Sequence, residues 1–360
     1  MISSASDLHS GLSASGATMK APAPERPVPV LVALSSAERA RFFPDDLTRA
    51  DYPVAIDWHT MPEKLSAPEW AALLSRIDPE VIVGGWKMPP LAGEMVGRCP
   101  SLRYLCYVAG SVRKKVDRSF IERGGVVSNW GDAVAPSVAE CALMLTLMCL
   151  RQATRFALDL HVDRGWRTPG APLPLGLFRR KVGIHGFGAV ARALLRLLAP
   201  FGAQIEAFSE PVPETVFAAH GVRKAASLAA LYRENDVVIV VEALTSLTRG
   251  SVDAAILAGL RPGAVLVNVG RGPIIDEPAL EKLAVRGEVQ IGLDVFATEP
   301  LPPASPLRGL RNVTLLPHTA GPTIDWYPLC GRRALDNLRA WFAGGTPSDA
   351  VSLQRYDLST

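Results

Sequence analysis

Short apolar segments alternate with segments of helical spacing along most of the chain, and this alternation is the feature that most restricts its fold. Strand-like runs such as VPVLVAL, VIVGGW and RYLCYVAG are apolar almost throughout, instead of alternating apolar with polar residues. Strands of that kind are buried on both faces, as in a parallel sheet that helices cover on each side. The pattern therefore predicts an α/β fold of doubly wound parallel sheets, of the Rossmann or flavodoxin-like kind.

The alternation falls into two blocks, which suits a chain of 360 residues because one hydrophobic core seldom serves so long a chain. The first block begins at Val28, the second begins at the predicted strand KVGIHGF, and a long helix is predicted between them over 137–163. We expect two domains with a cleft between them, preceded by a disordered tail rich in Ser, Ala, Gly and Pro; a short transit peptide is the alternative for that tail. The expected ranges are 1–27 for the tail, 28–131 with 322–360 for the first domain, and 132–321 for the second domain.

Charge and cysteine content restrict the partners of the chain. The net charge is +3 and the charged residues are scattered, so we expect neither nucleic acid nor a membrane as a partner. The longest apolar run, CALMLTLMCL, is shorter than the roughly 20 residues that cross a bilayer. The five cysteines lack C-x-x-C spacing and no cluster of metal ligands is visible, so we expect reduced thiols, no metal and a cytoplasmic location.

A glycine-rich loop, GIHGFGAVA, opens the second block. Gly186, Gly188 and Ala191 form the pattern G-x-G-x-x-A between a predicted strand and a predicted helix. The first glycine permits a tight turn, the second lets the backbone approach a pyrophosphate, and the positive end of the helix faces the phosphates. In this context the motif predicts a dinucleotide site, and a plain tight turn is the alternative. The expected contacts in the loop are Gly186, Phe187, Gly188, Ala189 and Val190.

The choice between NAD and NADP depends on the end of the next predicted strand, AQIEAFS. An acidic residue there usually binds the adenosine ribose, but this sequence has Ser209 at that position and Glu210 one residue later. Serine neither repels a 2′-phosphate nor accepts the ribose hydroxyls as well as aspartate does, and no arginine follows immediately. We expect NAD as the cofactor, with NADP as the open alternative. The range 132–321 is then the expected NAD-binding Rossmann domain, and 28–131 with 322–360 the expected substrate domain.

Charged residues follow three successive strands in the second block. Arg271 lies between two glycines after AVLVNV, Asp294 and Glu299 follow VQIGL, and His318 follows NVTLLP. Because the carboxyl ends of parallel strands meet at one edge, these side chains should converge on one crevice. A guanidinium binds a carboxylate in a fork, an imidazole transfers the proton of a C–OH group, and a neighbouring carboxylate orients that imidazole. With a nicotinamide cofactor to carry the hydride, this set predicts an oxidoreductase.

Over residues 81–343 the combined motifs resemble the D-isomer-specific 2-hydroxyacid dehydrogenase family, in VGIHGFGAVARALLRLLAPFG, in VNVGRGPIIDEPALEKLAVRGEVQIGLDVFATEPLP and in NVTLLPHTAG. The resemblance implies interconversion of a 2-keto acid and a D-2-hydroxy acid. It implies that Arg271 binds the substrate carboxylate, that Glu299 partners the histidine and that His318 is the acid/base. It also implies that Asp294 contacts the nicotinamide carboxamide.

The resemblance extends to the rest of the site and to assembly. It implies that backbone N–H groups in YVAGSV, at Ala109, Gly110 and Ser111, bind the substrate carboxylate. The helix from Ser137 is apolar around much of its circumference and needs cover on more than one side. The resemblance implies that this helix is buried between the subunits of a two-fold homodimer. The expected cofactor contacts beyond the glycine loop are Ser209, Ala243, Leu244, Val269, Gly270, Asp294, His318 and Gly321.

Two departures from the family and two other functions stay open. In the loop VEALT, Val241 and Ala243 replace a histidine and a proline of the family, which changes the wall beside the cofactor. An NAD(H)-sensing interaction protein on the same fold is the alternative function. A relative of formate dehydrogenases is a third, which Glu299 disfavours because those proteins pair glutamine with the histidine. Trp86 is left open between pocket wall and core.

Overall fold

The computed structural model describes residues 26–166 and 170–358, so most of the tail predicted over 1–27 and the end of the range 322–360 lie outside the described residues. The strands are β1 (Val28–Ala33), β2 (Ile56–Thr60), β3 (Val81–Gly84), β4 (Tyr104–Tyr107), β5 (Val126–Ser128), β6 (Lys181–His185), β7 (Gln204–Phe208), β8 (Arg223–Lys224), β9 (Val237–Val240), β10 (Val265–Asn268), β11 (Gln290–Leu293) and β12 (Val313–Leu315). The α-helices are α1 (Ser36–Phe42), α2 (Ala67–Ile77), α3 (Gly93–Val96), α4 (Arg118–Glu122), α5 (Ala135–Arg151), α6 (Ala153–His161), α7 (Ala189–Leu198), α8 (Glu214–Ala218), α9 (Leu228–Glu234), α10 (Ala254–Ala258), α11 (Glu277–Arg286), α12 (Tyr327–Phe342) and α13 (Leu353–Leu358).

The strands form two parallel sheets, which confirms the predicted fold class. The first sheet has the order β2-β1-β3-β4-β5 and the second has the order β12-β11-β10-β9-β6-β7-β8. Neighbouring strands in both sheets run parallel. Strand order reverses between β1 and β3 and again between β6 and β9. In open α/β sheets, ligands bind outside the carboxyl ends of the strands at such reversals.

Successive side chains along a strand point to opposite sides of the sheet. Because most of these strands are apolar throughout, each sheet is apolar on both faces. In the first sheet, Leu31 faces the cluster that contains Trp70 of α2, whereas Val30 and Val32 face the cluster that contains α1 and α12. A Cβ atom at Gly331 of α12 would overlap the carbonyl of Phe42, so α12 can approach α1 only with a glycine there. The helix α12, which lies in the range 322–360, therefore packs on the first sheet.

The helix predicted over 137–163 is wrong as a single element. Two helices, α5 and α6, meet at a bend of 64°. The break is at Gln152, which has a left-handed φ of 54° and whose side-chain amide donates to the carbonyl of Pro172 at 2.8 Å. That carbonyl is 20 residues away, so the break depends on tertiary structure.

No helix among the described residues is by itself long and apolar enough to cross a bilayer, although the bent pair of α5 and α6 reaches that length and hydropathy when the two are taken together.

His185 is a buried neutral histidine at the carboxyl end of β6. Its side chain is 3% exposed, and its Nδ1 lies 3.3 Å from the hydroxyl of Tyr232. Burial lowers the pKa of His185 from its ordinary value of 6.5 to about 4, because the charged imidazolium is poorly solvated there. The unfolded chain binds a proton at His185 more readily than the folded chain does, so acid selectively stabilises the unfolded state.

We predict a pH dependence of stability that His185 causes. Its contribution is fully present above about pH 6.5 and is lost as the pH falls towards about 4, at up to about 1.4 kcal/mol per pH unit. Urea unfolding measured across this range should show that His185→Leu loses that share of the slope. The exposed His220 provides the control, since His220→Gln should retain it. Equal slopes in wild type and His185→Leu would contradict the assignment.

Candidate active site

The glycine loop joins β6 to α7 and forms an open cradle. Gly186 has a φ of 109°, and a Cβ atom there would lie 2.6 Å from the backbone nitrogen of Glu242, so only glycine fits. A Cβ atom at Gly188 would meet no heavy atom within 4 Å. No side chain caps the amino terminus of α7, and its backbone N–H groups and positive dipole end face this space. The cradle fits the pyrophosphate of a dinucleotide.

Other predicted cofactor contacts surround this cradle at the ends of neighbouring strands. Phe187 is buried against Phe217, with ring centroids 4.3 Å apart, so its side chain anchors the loop to the hydrophobic core. A Cβ atom at Gly270 would lie 2.9 Å from the carbonyl oxygen of Glu242. The structure thus brings the turns after β6, β9 and β10 into contact. Leu244 and Val269 are buried, and the carbonyl of Gly321 accepts a hydrogen bond from Ser137 of α5.

Ser209 is hydrogen-bonded to Glu242, which is not among the predicted site residues. Its side chain is 2% exposed, and its hydroxyl donates to Oε2 of Glu242 at 2.6 Å. The other carboxylate oxygen, Oε1, accepts from the backbone N–H of Ala243 at 2.9 Å. Glu242 itself is half-buried. A signal was present in VEALT, where a carboxylate follows a wholly apolar strand, but its contact with Ser209 spans 33 residues.

His318 and Glu299 form a close pair. Nδ1 of His318 lies 2.6 Å from Oε2 of Glu299, whose Oε1 accepts from the backbone N–H of Phe296 at 3.0 Å. The glutamate is thus held by the backbone at one oxygen and meets the ring with the other. His318 has a left-handed φ of 55°, and its side chain is about half exposed. The predicted histidine–glutamate pairing is present in the geometry.

Asp294 holds the turn that carries His318. Its carboxylate is 1% exposed and accepts backbone N–H bonds from Thr319 at 2.7 Å and from Ala320 at 2.9 Å, while its backbone carbonyl accepts from the N–H of His318 at 2.9 Å. Burial raises the pKa of Asp294, and the two N–H bonds oppose that rise. Both carboxylate oxygens therefore already have backbone partners, and contact with a nicotinamide carboxamide stays a prediction.

Arg271 extends from a turn that is fixed on both sides. The side chain of Asn268 accepts from the N–H of Gly270 at 3.0 Å and donates to the carbonyl of Arg271 at 3.1 Å. A Cβ atom at Gly272 would overlap the backbone of Phe296, so glycine is required for the chain to pass there. Arg271 is half-buried. Burial lowers the pKa of Arg271, and the charge of Glu299 acts in the opposite direction. Arginine stays protonated regardless, so a fixed positive charge lies beside the histidine–glutamate pair.

The loop predicted to bind the substrate carboxylate, Ala109–Ser111, follows β4 of the first sheet. The side chain of Asn129 donates to the carbonyl of Gly110 at 2.7 Å, and a Cβ atom at Gly110 would lie 2.8 Å from the ring of Trp130. The Oγ atom of Ser111 is buried and has no hydrogen-bond partner among the described residues. Ala109 is also buried. An unsatisfied hydroxyl in a loop held so tightly is a feature that a bound ligand would relieve.

Trp86 belongs to an aromatic cluster at the same edge of the first sheet. It is 40% exposed, and its ring centroid lies 5.9 Å from that of Trp130 and 6.0 Å from that of Tyr327. Since Trp130 also contacts Gly110, this cluster adjoins the Ala109–Ser111 loop.

No group of three or more His, Cys, Asp or Glu side chains within 26–166 and 170–358 is arranged to hold a metal ion.

Comparisons with known proteins agree with this geometry. The sequence profile for the NAD-binding domain of D-isomer specific 2-hydroxyacid dehydrogenases matches residues 143–320. A hydroxyphenylpyruvate reductase of Plectranthus scutellarioides is 34% identical over 255 residues, which cover 70% of this chain and 79% of that one. A glyoxylate/hydroxypyruvate reductase of Arabidopsis thaliana is 32% identical over 258 residues, covering 71% and 77%.

A solved structure is similar over almost its whole length. The NADPH-dependent glyoxylate/hydroxypyruvate reductase of Sinorhizobium meliloti is 29% identical, with a TM-score of 0.73, and the alignment covers 93% of this chain and 100% of that one. These relatives are reductases, which favours the enzymatic interpretation over the NAD(H)-sensing alternative. With its open glycine cradle and these matches, the chain belongs to the D-isomer-specific 2-hydroxyacid dehydrogenase family of NAD(P)-dependent oxidoreductases.

Proposed function

We propose that this protein reduces a 2-keto acid to a D-2-hydroxy acid, with His318 as the acid/base and Arg271 as the anchor of the substrate carboxylate. The observation that carries the proposal is the 2.6 Å distance between His318 and Glu299, beside the half-buried guanidinium of Arg271 at a neighbouring strand end. The bound nicotinamide cofactor supplies the hydride. The protein supplies charge, orientation and a proton.

In this proposal His318 moves one proton at a defined nitrogen. Glu299 lies at hydrogen-bond distance from Nδ1, which leaves Nε2 as the nitrogen that would give a proton to the carbonyl oxygen of the substrate. The glutamate would thus fix the orientation of the ring. Since Oε1 of Glu299 is bonded to Phe296, the carboxylate cannot swing away from the ring without losing a backbone hydrogen bond.

Arg271 and the loop after β4 would together bind the carboxylate of the substrate. A guanidinium presents paired N–H donors that match a carboxylate or an adjacent carbonyl. The backbone N–H groups of Ala109, Gly110 and Ser111 would complete the carboxylate site, and the unsatisfied hydroxyl of Ser111 supports this role. This site would join the domain proposed over 28–131 with 322–360 to the cofactor domain proposed over 132–321.

The aromatic cluster of Trp86, Trp130 and Tyr327 suggests what the substrate carries beyond its carboxylate. The half-exposed ring of Trp86 presents an apolar surface beside the Ala109–Ser111 loop. We infer that apolar or aromatic side chains on the 2-keto acid are accepted. Relatives named for glyoxylate, hydroxypyruvate and hydroxyphenylpyruvate give a range of side chains to compare.

We also propose a two-fold homodimer. The outward face of α5 exposes Met144, and beyond α6 the chain exposes Trp166 at 82% and Phe178 at 70%. Large apolar side chains that a single chain leaves exposed are expected at an interaction surface.

We also propose a cytoplasmic location. The five cysteines are free thiols and four of them are buried, which supports a reducing compartment.

We predict NAD(P)H oxidation with one or more members of a panel of glyoxylate, hydroxypyruvate, pyruvate, and branched and aromatic 2-keto acids. His318→Ala should lower turnover roughly 10²- to 10⁴-fold, the usual contribution of a positioned acid/base. Its cofactor affinity, followed by fluorescence quenching, should stay unchanged because the imidazole acts on the substrate. Unchanged turnover in His318→Ala would contradict the mechanism.

Glu299→Gln tests the pairing through the turnover of keto-acid reduction. A neutral amide is a weaker hydrogen-bond acceptor at Nδ1 than the carboxylate, so the ring should be held less firmly and turnover should fall while cofactor affinity changes little. Asp325→Asn, which removes an exposed carboxylate downstream of His318, serves as the control and should keep the wild-type turnover. Wild-type turnover in Glu299→Gln would mean that the glutamate does not act through His318.

Assembly is tested by light scattering. At micromolar concentration we expect the mass of a dimer, which is about twice the 38.5 kDa of one chain. Leu173 is 68% exposed and lies in the same segment after α6 as Phe178. The double variant Leu173→Glu/Phe178→Glu should lower the mass towards one chain, because it places charges in the proposed interface. Val285→Glu, which changes an exposed apolar residue of α11, should leave the dimer intact. A wild-type protein with the mass of one chain would exclude the dimer.

A further inference from the structure

We propose that Glu242 replaces the missing ribose acid and makes the protein select NAD(H) over NADP(H). The inference rests on the proposed function, because it assigns a residue to the cofactor site of that reaction. The end of β7, where an aspartate or glutamate usually binds the ribose hydroxyls, carries Ser209 instead. A carboxylate nevertheless reaches this place, from the end of a different strand.

The strand order explains how Glu242 arrives there. β9 and β7 are the two neighbours of β6, one on each side. Glu242 follows β9 and Ser209 follows β7, and their side chains meet at 2.6 Å beyond the end of β6. Gly186 lies in the gap between them, in contact with the backbone of Glu242. The carboxylate is therefore placed directly beside the glycine loop that fits a pyrophosphate.

The hydrogen bonds of Glu242 leave it able to bind a diol. Oε2 accepts from the hydroxyl of Ser209 and Oε1 accepts from the N–H of Ala243, and each carboxylate oxygen can accept a second bond. Two neighbouring ribose hydroxyls are suitable donors. Ser209 thus acts as a positioning residue, since it fixes the carboxylate in one orientation. A 2′-phosphate would instead bring further negative charge against a half-buried carboxylate, where screening by water is weak.

Basic side chains near this turn are directed elsewhere. Lys224 of β8 donates to the carbonyl of Val212 at 2.8 Å and lies 5.4 Å from the centre of the Phe217 ring. Arg223 is paired with Glu206 at 2.5 Å. Glu210, next to Ser209, is exposed and adds a second negative charge. The local charge therefore favours a ribose with free hydroxyls over a phosphorylated one.

The test is a pair of fluorescence-quenching titrations, with NADH and with NADPH, on the full chain. The wild type should bind NADH more tightly. Glu242→Gln keeps the size of the side chain but removes its charge, and it should lower the ratio of the NADPH to the NADH dissociation constant roughly 10- to 100-fold. Ser209→Ala should lower the ratio less, because the carboxylate remains but is no longer held.

Glu210→Gln is the matched control, since it removes an exposed carboxylate from the same turn and should leave the ratio within about threefold, as expected for a solvent-screened charge. Thermal unfolding of each variant without nucleotide checks that the fold is retained. Tighter wild-type binding of NADPH, or a ratio in Glu242→Gln that matches the wild type, overturns the inference alone. Binding of neither nucleotide by the wild type overturns the proposed function together with it.

Discussion

The hydrogen bonds of the buried Asp294 carboxylate are the interactions on which the carboxyl edge of the second sheet depends. A carboxylate away from water is costly unless it is hydrogen-bonded, and here the N–H groups of Thr319 and Ala320 supply the hydrogen bonds. Those hydrogen bonds fix the turn after β12, in which His318 adopts a left-handed conformation that costs a non-glycine residue roughly 1 kcal/mol. The ring of His318 then meets Glu299. The position of His318, the proposed proton donor, is thus set by a group that need not touch the substrate.

Close backbone contacts give the same edge its rigidity. Gly186 and Gly270 each lie against Glu242, and Gly272 lies against Phe296, at distances that exclude a Cβ atom. The turns after four strands consequently pack on one another instead of projecting separately into solvent. Side chains that extend from turns packed in this way lose little further entropy when a ligand binds, which is the physical basis of preorganisation.

Local patterns explain what the sequence predicts well. The apolar runs that became β1, β3, β4, β6, β10 and β11 are recognisable from their own composition, and the glycine loop is recognisable because its residues are adjacent in the chain. The features that were missed depend on distant partners. The break at Gln152 needs the carbonyl of Pro172, and the two-residue strand β8 is ordered by its pairing with β7. The roles of Arg271, Glu299 and His318 stay predictions, although their convergence on one edge is observed.

Two carboxylates at that edge have different neighbours, and the difference has a consequence for binding. Glu299 follows β11, between Arg271 after β10 and His318 after β12, and its charge acts on both of those side chains. Glu242 follows β9, next to the glycine loop after β6, and meets the uncharged hydroxyl of Ser209. Arg271 offsets the charge of Glu299 and can attract an anion, whereas Glu242 is better suited to uncharged hydroxyl donors. Since Arg271 and Glu242 are both half-buried, added salt should weaken these two interactions less than it weakens attraction at the exposed surface.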